Sequence, residues 1–144
     1  MAIGQGAVSY DDGVAIGVGT MSDPTATAAG SGGTVIGYQA SAGVNKGNHQ
    51  TVIGGLAQGF ADDVTAIGYT AQAFAARSVA IGVNAETNKI STDAAAIGYN
   101  ANAFGASSTA VGGQSLSNGS NTAAIGYKAN AFGASATVVG AQAL

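Results

Sequence analysis

Residues 65–82 read TAIGYTAQAFAARSVAIG, and the fragment that closes this stretch, a Thr or Ser shortly before Ala-Ile-Gly, recurs with variations along the whole chain. The glycine that follows Ile or Val stands at positions 4, 17, 37, 54, 68, 82, 98, 112, 126 and 140. The intervals are 13, 20, 17, 14, 14, 16, 14, 14 and 14, so fourteen is the unit, with insertions and one deletion placed in loops. A fourteen-residue unit is too short for the helical repeats of about 33–34 residues and suits one coil of a β-solenoid.

Taking the marker glycine as position zero, position −1 is Ile3, Ile16, Ile36, Ile53, Ile67, Ile81, Ile97, Val111, Ile125 and Val139. Position −2 is always Ala or Val, and −3 is mostly Thr, Val or Ala. Neighbouring strand residues point to opposite faces. This first strand is therefore apolar on both, the pattern of a strand buried on both sides. A second strand is expected from about +3 to +6: +3 is Ala in eight of ten coils, +5 is small, and +4 includes Gln58, Gln72, Glu86, Asn102 and Asn130. That alternation describes one inward face and one face in water. The marker glycines, with Gly105, Gly119 and Gly133, supply permissive backbone for tight corners.

All nine aromatic residues fall into two columns. Tyr38, Tyr69, Tyr99 and Tyr127 stand at +1; Tyr10, Phe60, Phe74, Phe104 and Phe132 stand at +6. With coils about 4.8 Å apart, both columns are expected to stack as ring ladders beside the corners.

Composition narrows the field. The chain has 144 residues, 24 of them glycine and one proline, with 47% hydrophobic and only 8% charged residues and a net charge of −3. Disorder requires low hydrophobicity and high net charge, so a folded chain is expected. The four basic residues, Lys46, Arg77, Lys89 and Lys128, are scattered, which argues against nucleic-acid or anionic-membrane binding. Cysteine is absent, and no apolar run approaches the ~18 residues of a membrane span. The repeat begins directly after Met1 and stops in mid-pattern, so residues 1–144 read as a single β-roll domain cut from a longer chain.

A two-stranded coil with Ala and Gly inside is a thin tube, whose lumen covers only one apolar face of the first strand. Exposing the other forfeits roughly 1.5–3 kcal/mol per large side chain and leaves a long apolar patch. Pressing identical stripes together about a symmetry axis removes both penalties. The expectation is a homo-oligomer, three chains being the natural count, whose core is the −1 column from Ile3 to Val139.

Ser78-Val79-Ala80-Ile81-Gly82-Val83-Asn84-Ala85, with the degenerate copies Ser108-Thr109-Ala110-Val111-Gly112-Gly113-Gln114-Ser115 and Thr65-Ala66-Ile67-Gly68, resembles the repeat of the YadA-like head domain of trimeric autotransporter adhesins. The resemblance runs along essentially the whole chain. It implies a left-handed, parallel, all-β roll of about ten coils, homotrimeric, held on a stalk at the bacterial surface and anchored in the outer membrane by parts outside this chain. It also implies a virulence-type role in cell adhesion, binding host extracellular-matrix protein or a cell-surface glycan, with no direct membrane contact by this segment. Members that bind collagen-type ligands begin the repeat with Asn and end it with Ser; here those places hold Arg77 and Ala85. A phage tail-fibre segment recognising a bacterial receptor, on a virion, is the alternative use of such rods.

No catalytic, metal or cofactor constellation is visible, so a non-enzymatic protein is expected. His49 reads as an exposed loop residue, and the pairs Asp11-Asp12 and Asp62-Asp63 as solvated turns, since the glycine-rich calcium nonapeptide is missing. Thr34, Thr51, Thr65, Thr109 and Thr137 share position −3, but Val14, Val79, Ala95 and Ala123 break that rank, against an ice-binding face. Residues 18–33, with Asp23-Pro24, and 43–50 are the segments where ligand specificity is best sought, because loops escape the ladder's constraint.

Overall fold

The computed structural model describes residues 1–9, 13–19, 21–22, 32–43 and 49–144. All of its regular elements are strands of two or three residues. Ten first strands, from Ala2–Ile3 and Val14–Ile16 to Thr137–Val139, form one parallel sheet in chain order. Eight second strands, from Met21–Ser22 to Asn130–Ala131, form the other. Eight coils carry both strands; the coils at Gly4 and Gly140 contribute a first strand alone. The repeat is in register: Ile53 pairs with Ile67, Ile67 with Ile81, and Ile81 with Ile97. Insertions leave this intact, since all the extra length lies between a second strand and the next first strand. That run is 74–78 in a regular coil but 88–94, 43–50 and 23–33 in the long ones.

The second strand is shorter than its apolar alternation predicts, covering only +4 and +5, as in Gln58–Gly59 and Gln72–Ala73. Position +3 belongs to the corner: the Ala71 N–H donates to the Gly68 carbonyl at 3.3 Å, and Ala57, Ala85 and Ala101 close their corners the same way. The inward direction of +3 is nevertheless as expected, with Ala57, Ala71, Ala85 and Ala101 fully buried.

Between the sheets lies a narrow core of Ala and Val at −2, facing Ala at +3 and small residues at +5. Its volume is matched coil by coil. Where Val52 and Val64 enlarge the filling, +5 is Gly59, and a Cβ there would lie 2.8 and 2.9 Å from the two valine Cγ2 atoms. Close packing of this kind leaves no slack for an added methyl group. Hydroxyls enter the core as well: Thr87 Oγ1 donates to Ser78 Oγ at 2.9 Å, which donates to the Ala75 carbonyl at 2.6 Å, whereas the buried Ser108 hydroxyl has no hydrogen-bond partner.

The recurring Ile-Gly pair has a steric cause. Marker glycines from Gly37 to Gly140 hold φ between 129° and 140°, a conformation that L side chains rarely adopt. A Cβ on Gly82 would also sit 2.3 Å from the carbonyl oxygen of Gly98 on the next coil. The glycine column is thus a line of backbone-on-backbone contact. Gly105 differs from the expectation of a permissive corner: its φ is not positive, and it is required because a Cβ would lie 1.9 Å from the Gly119 oxygen.

The left-handed corner positions are filled mainly by other residues. At +2 they include Gln39, Leu56, Thr70, Asn84, Asn100, Gln114 and Lys128, with φ of 50–60°. At −5 they include His49, Asp63, Arg77, Asp93, Ser107, Asn121 and Ser135, with φ of 52–61°. The +2 residues, and Arg77, Asp93, Ser107, Asn121 and Ser135 at −5, are tied to the preceding coil by their N–H groups, as Asn84 to the Tyr69 carbonyl at 3.0 Å and Arg77 to that of Asp62 at 2.9 Å. Left-handed backbone costs an ordinary residue about 1–2 kcal/mol, and Asn tolerates it best among them. Thr70 is β-branched and its hydroxyl bonds the Asn84 side chain. Thr70→Asn keeps a polar partner for Asn84 and relieves the backbone, so it is expected to raise stability by about 0.5–1 kcal/mol; denaturant unfolding measures this.

Candidate functional site

Three surfaces of the roll carry chemistry. The first is the outward face of the ten-stranded sheet. Position −2 turns inward, so −1 and −3 turn out together. Ile97 and Ile125 are 38% and 41% exposed within the ladder, and Ile3 and Val139 at its ends reach 53% and 69%. Ile16, Ile36, Ile53, Ile67, Ile81 and Val111 are half-buried in the same row, flanked by the half-buried −3 residues Thr34, Thr51, Thr65 and Thr109. Parallel pairing sets these side chains one above another as a continuous apolar stripe, and among the described residues no element lies across it.

The second surface is the corner after each marker glycine. Tyr38, Tyr69, Tyr99 and Tyr127 are 58%, 56%, 54% and 49% exposed. The expected tyrosine ladder does not form. Tyrosines occupy alternate coils, and the coils between them carry Gly55, Val83 and Gly113 at +1. A Cβ on Gly55 would lie 3.3 Å from Cδ2 of Tyr69, so that ring sits over the vacant side-chain space of the neighbouring coil rather than on another ring. Tyr127 does the same over Gly113 and has the Lys128 ammonium 5.2 Å from its centroid. Polar residues of the +2 column stand beside this row, with Gln39, Asn84 and Gln114 exposed.

The third surface is the opposite corner. Phe60 and Phe74 stack there as expected, with centroids 5.2 Å apart and planes 8° from parallel. Phe104 and Phe132 have Asn88 and Asn118 as neighbours in the column instead, and Asn88 Nδ2 donates to the Phe104 carbonyl at 3.3 Å. Alongside runs a set of cross-coil polar contacts at −5 that the sequence reading did not find. His49 Nδ1 lies 3.1 Å from Asp63 Oδ1, and Arg77 holds Asp93 by two bonds of 2.6 and 2.9 Å. The insertion at 88–94 places Arg77 and Asp93 sixteen residues apart, off the fourteen-residue period; aligning columns by the marker glycines recovers the pairing. The tip of that insertion is an Asx turn, the Ile90 N–H donating to Asn88 Oδ1, and it holds Ile90 74% exposed.

The hydrogen bonds from Arg77 hold the Asp93 carboxyl below its usual value, and Asp93 holds the guanidinium above its own. A carboxylate depressed in the folded state contributes stability above its unfolded pKa, and that contribution is lost as pH falls through the folded value. The pair is open to solvent, so the effect is small. Asp93→Asn is expected to unfold at lower denaturant than the parent at pH 7, and to match it well below about pH 4, where the carboxyl is protonated in both states.

Of the other expected sites, Asp62 and Asp63 lie exposed at the −5 corner with His49 beside Asp63. Asp11-Asp12, Asp23-Pro24 and most of 18–33 and 43–50 fall outside the described residues. Among the described residues, no group of three His, Asp or Glu side chains is placed to hold a metal ion.

The model of the YadA head domain repeat matches residues 65–85, 91–115 and 117–143, half of the chain. The chain belongs to the YadA head-repeat family. No curated protein matches this adhesin-type head. Among solved structures, the YadA-like head is similar to the collagen-binding domain of the Yersinia adhesin YadA, with a TM-score of 0.55 and 24% identity over 93% of this chain and 61% of that one. It therefore spans under two thirds of that domain's length, and the likeness is one of fold. In the YadA-like head, the matched segments contain the regular coils with their marker glycines, the tyrosines from Tyr69 to Tyr127 and the Arg77–Asp93 pair.

Proposed function

We propose that this chain is the non-catalytic head of a trimeric surface adhesin, displayed on a bacterial cell and anchored in the outer membrane through parts outside these residues. Three rolls pack their −1 columns, Ile3 to Val139, about one axis. The observation that carries the reading is the stripe of branched residues on the ten-stranded sheet, which none of the described residues of a single roll covers. Soluble chains rarely keep such a patch open, and identical patches are self-complementary about a symmetry axis. The outer corners then remain for ligands, a host matrix protein or a cell-surface glycan. The family supports the adhesin assignment, and the first strand of each coil supports the assembly.

Light scattering of the purified chain is expected to give three times the chain mass at micromolar concentration; a well-folded monomer overturns the assembly. The adhesin role is tested by binding of the same sample to immobilised matrix proteins, glycans and host cells. Silence across all three overturns it.

A further inference from the structure

We infer that the tyrosine corner is a binding platform for an extended β-1,4-linked glycan, with Tyr38, Tyr69, Tyr99 and Tyr127 stacking on alternate sugars. This rests on the binding-surface reading above and names its ligand class. Three observations carry it. First, these rings have no structural partner ring: each stands two coils from the next, and each is about half exposed. Tyr69 and Tyr127 lean on the coils of Gly55 and Gly113, and that contact still leaves about half of each ring in water.

Second, the spacing is regular through every length change of the coils. The extra residues fall between a second strand and the next first strand, not at the marker-glycine corner, so Tyr38, Tyr69, Tyr99 and Tyr127 remain separated by two ladder steps throughout. Two steps are about 9.6 Å. In a β-1,4-linked pyranose chain each sugar is turned half a rotation from the last. Alternate sugars therefore offer the same C–H face, and the two-sugar repeat is close to the distance between these rings. An aromatic face is the electron-rich partner that such a face prefers.

Third, the flanking +2 column supplies hydrogen-bonding groups along most of the row, Leu56 being its one apolar member between Gln39 and Lys128. Gln39 follows Tyr38 and Asn100 follows Tyr99, while Asn84 and Gln114 stand on the coils between the tyrosines. Amides donate and accept, which suits sugar hydroxyls, and aromatic surface with a few placed polar groups is the usual composition of such sites. Lys128 over Tyr127 closes the row at one end. The scarcity of charge along the row favours a neutral glycan over a sulfated or otherwise highly charged one.

The test is isothermal titration of the purified protein with cellohexaose and chitohexaose, using the corresponding disaccharides for length dependence and maltohexaose as a bent α-linked control. A β-linked hexasaccharide is expected to bind at least tenfold more tightly than its disaccharide and more tightly than maltohexaose. The double variant Tyr69→Ala, Tyr99→Ala is expected to lose at least tenfold in affinity while keeping its circular dichroism and scattering mass. Absence of heat with both β-linked hexasaccharides, equal binding of maltohexaose, or undiminished binding by the double variant overturns the inference. A double variant of lower scattering mass also overturns it, by assigning the row to contact between copies. A parent that is trimeric and binds matrix protein but ignores these sugars fails this inference alone and leaves the adhesin reading standing.

Discussion

Gly82→Ala is expected to abolish the native roll or to destabilise it by about 4 kcal/mol or more. Two independent effects act on the one added methyl group. The backbone φ of 133° lies where side chains are rarely tolerated, and the new Cβ falls 2.3 Å from the Gly98 carbonyl oxygen. The obstacle is backbone, so rotamer changes give no relief; either the coils separate locally or the turn is remade. Separation breaks the bond from the Gly98 N–H to the Ile81 carbonyl, 2.8 Å long. Gly140→Ala isolates the two effects. Its φ is 134°, but its nearest contact is the Ala143 Cβ at 3.7 Å, so only the conformational cost of about 1–3 kcal/mol is expected. Denaturant unfolding of the two variants decides the matter: equal losses would falsify the coil-on-coil contact as the reason for the column.

The second large effect is expected at the apolar stripe. In the proposed trimer, Ile81→Asp together with Ile97→Asp places six carboxylates against the shared axis. Each isoleucine withdrawn from that axis forfeits roughly 1.5–3 kcal/mol, and an unpaired buried charge adds more. Scattering is expected to show the mass fall from three chains to one, with or without loss of the far-ultraviolet β signal. Ile90→Asp is the control, since Ile90 is more exposed than either yet lies at the tip of the 88–94 loop; it is expected to leave the mass unchanged. A double variant that keeps the parent's mass removes the stripe from the interface.

Much of this architecture is legible in the sequence. Periodic glycines gave the coil length, and their neighbours gave the first strand, because a parallel ladder forces identical environments on equivalent residues and so prints its register on the chain. The inward Ala71 and outward Ile67 followed from the two-residue alternation. The left-handed corners did not, because residues as different as Leu56, Thr70 and Lys128 fill them. There the conformation is imposed by the corner hydrogen bonds of the preceding coil, a tertiary cause with no compositional signature. The Arg77–Asp93 pair was hidden by an insertion that shifts its spacing. The tyrosine row departs from the expected ladder for a different reason: its members occupy every second coil, so no ring has another directly above it. Alternation is itself legible, and at +1 it separates a stacked ladder from a comb.

The placement of all extra length at one edge has an engineering consequence. Because 88–94 is accommodated without moving the pairs Val79–Ala95 or Glu86–Asn102, that edge works as a docking rail for foreign peptides. An epitope spliced between Lys89 and Ile90 is expected to be shown at a fixed height on the rod, and a second one, a chosen number of turns away, at a distance known in advance.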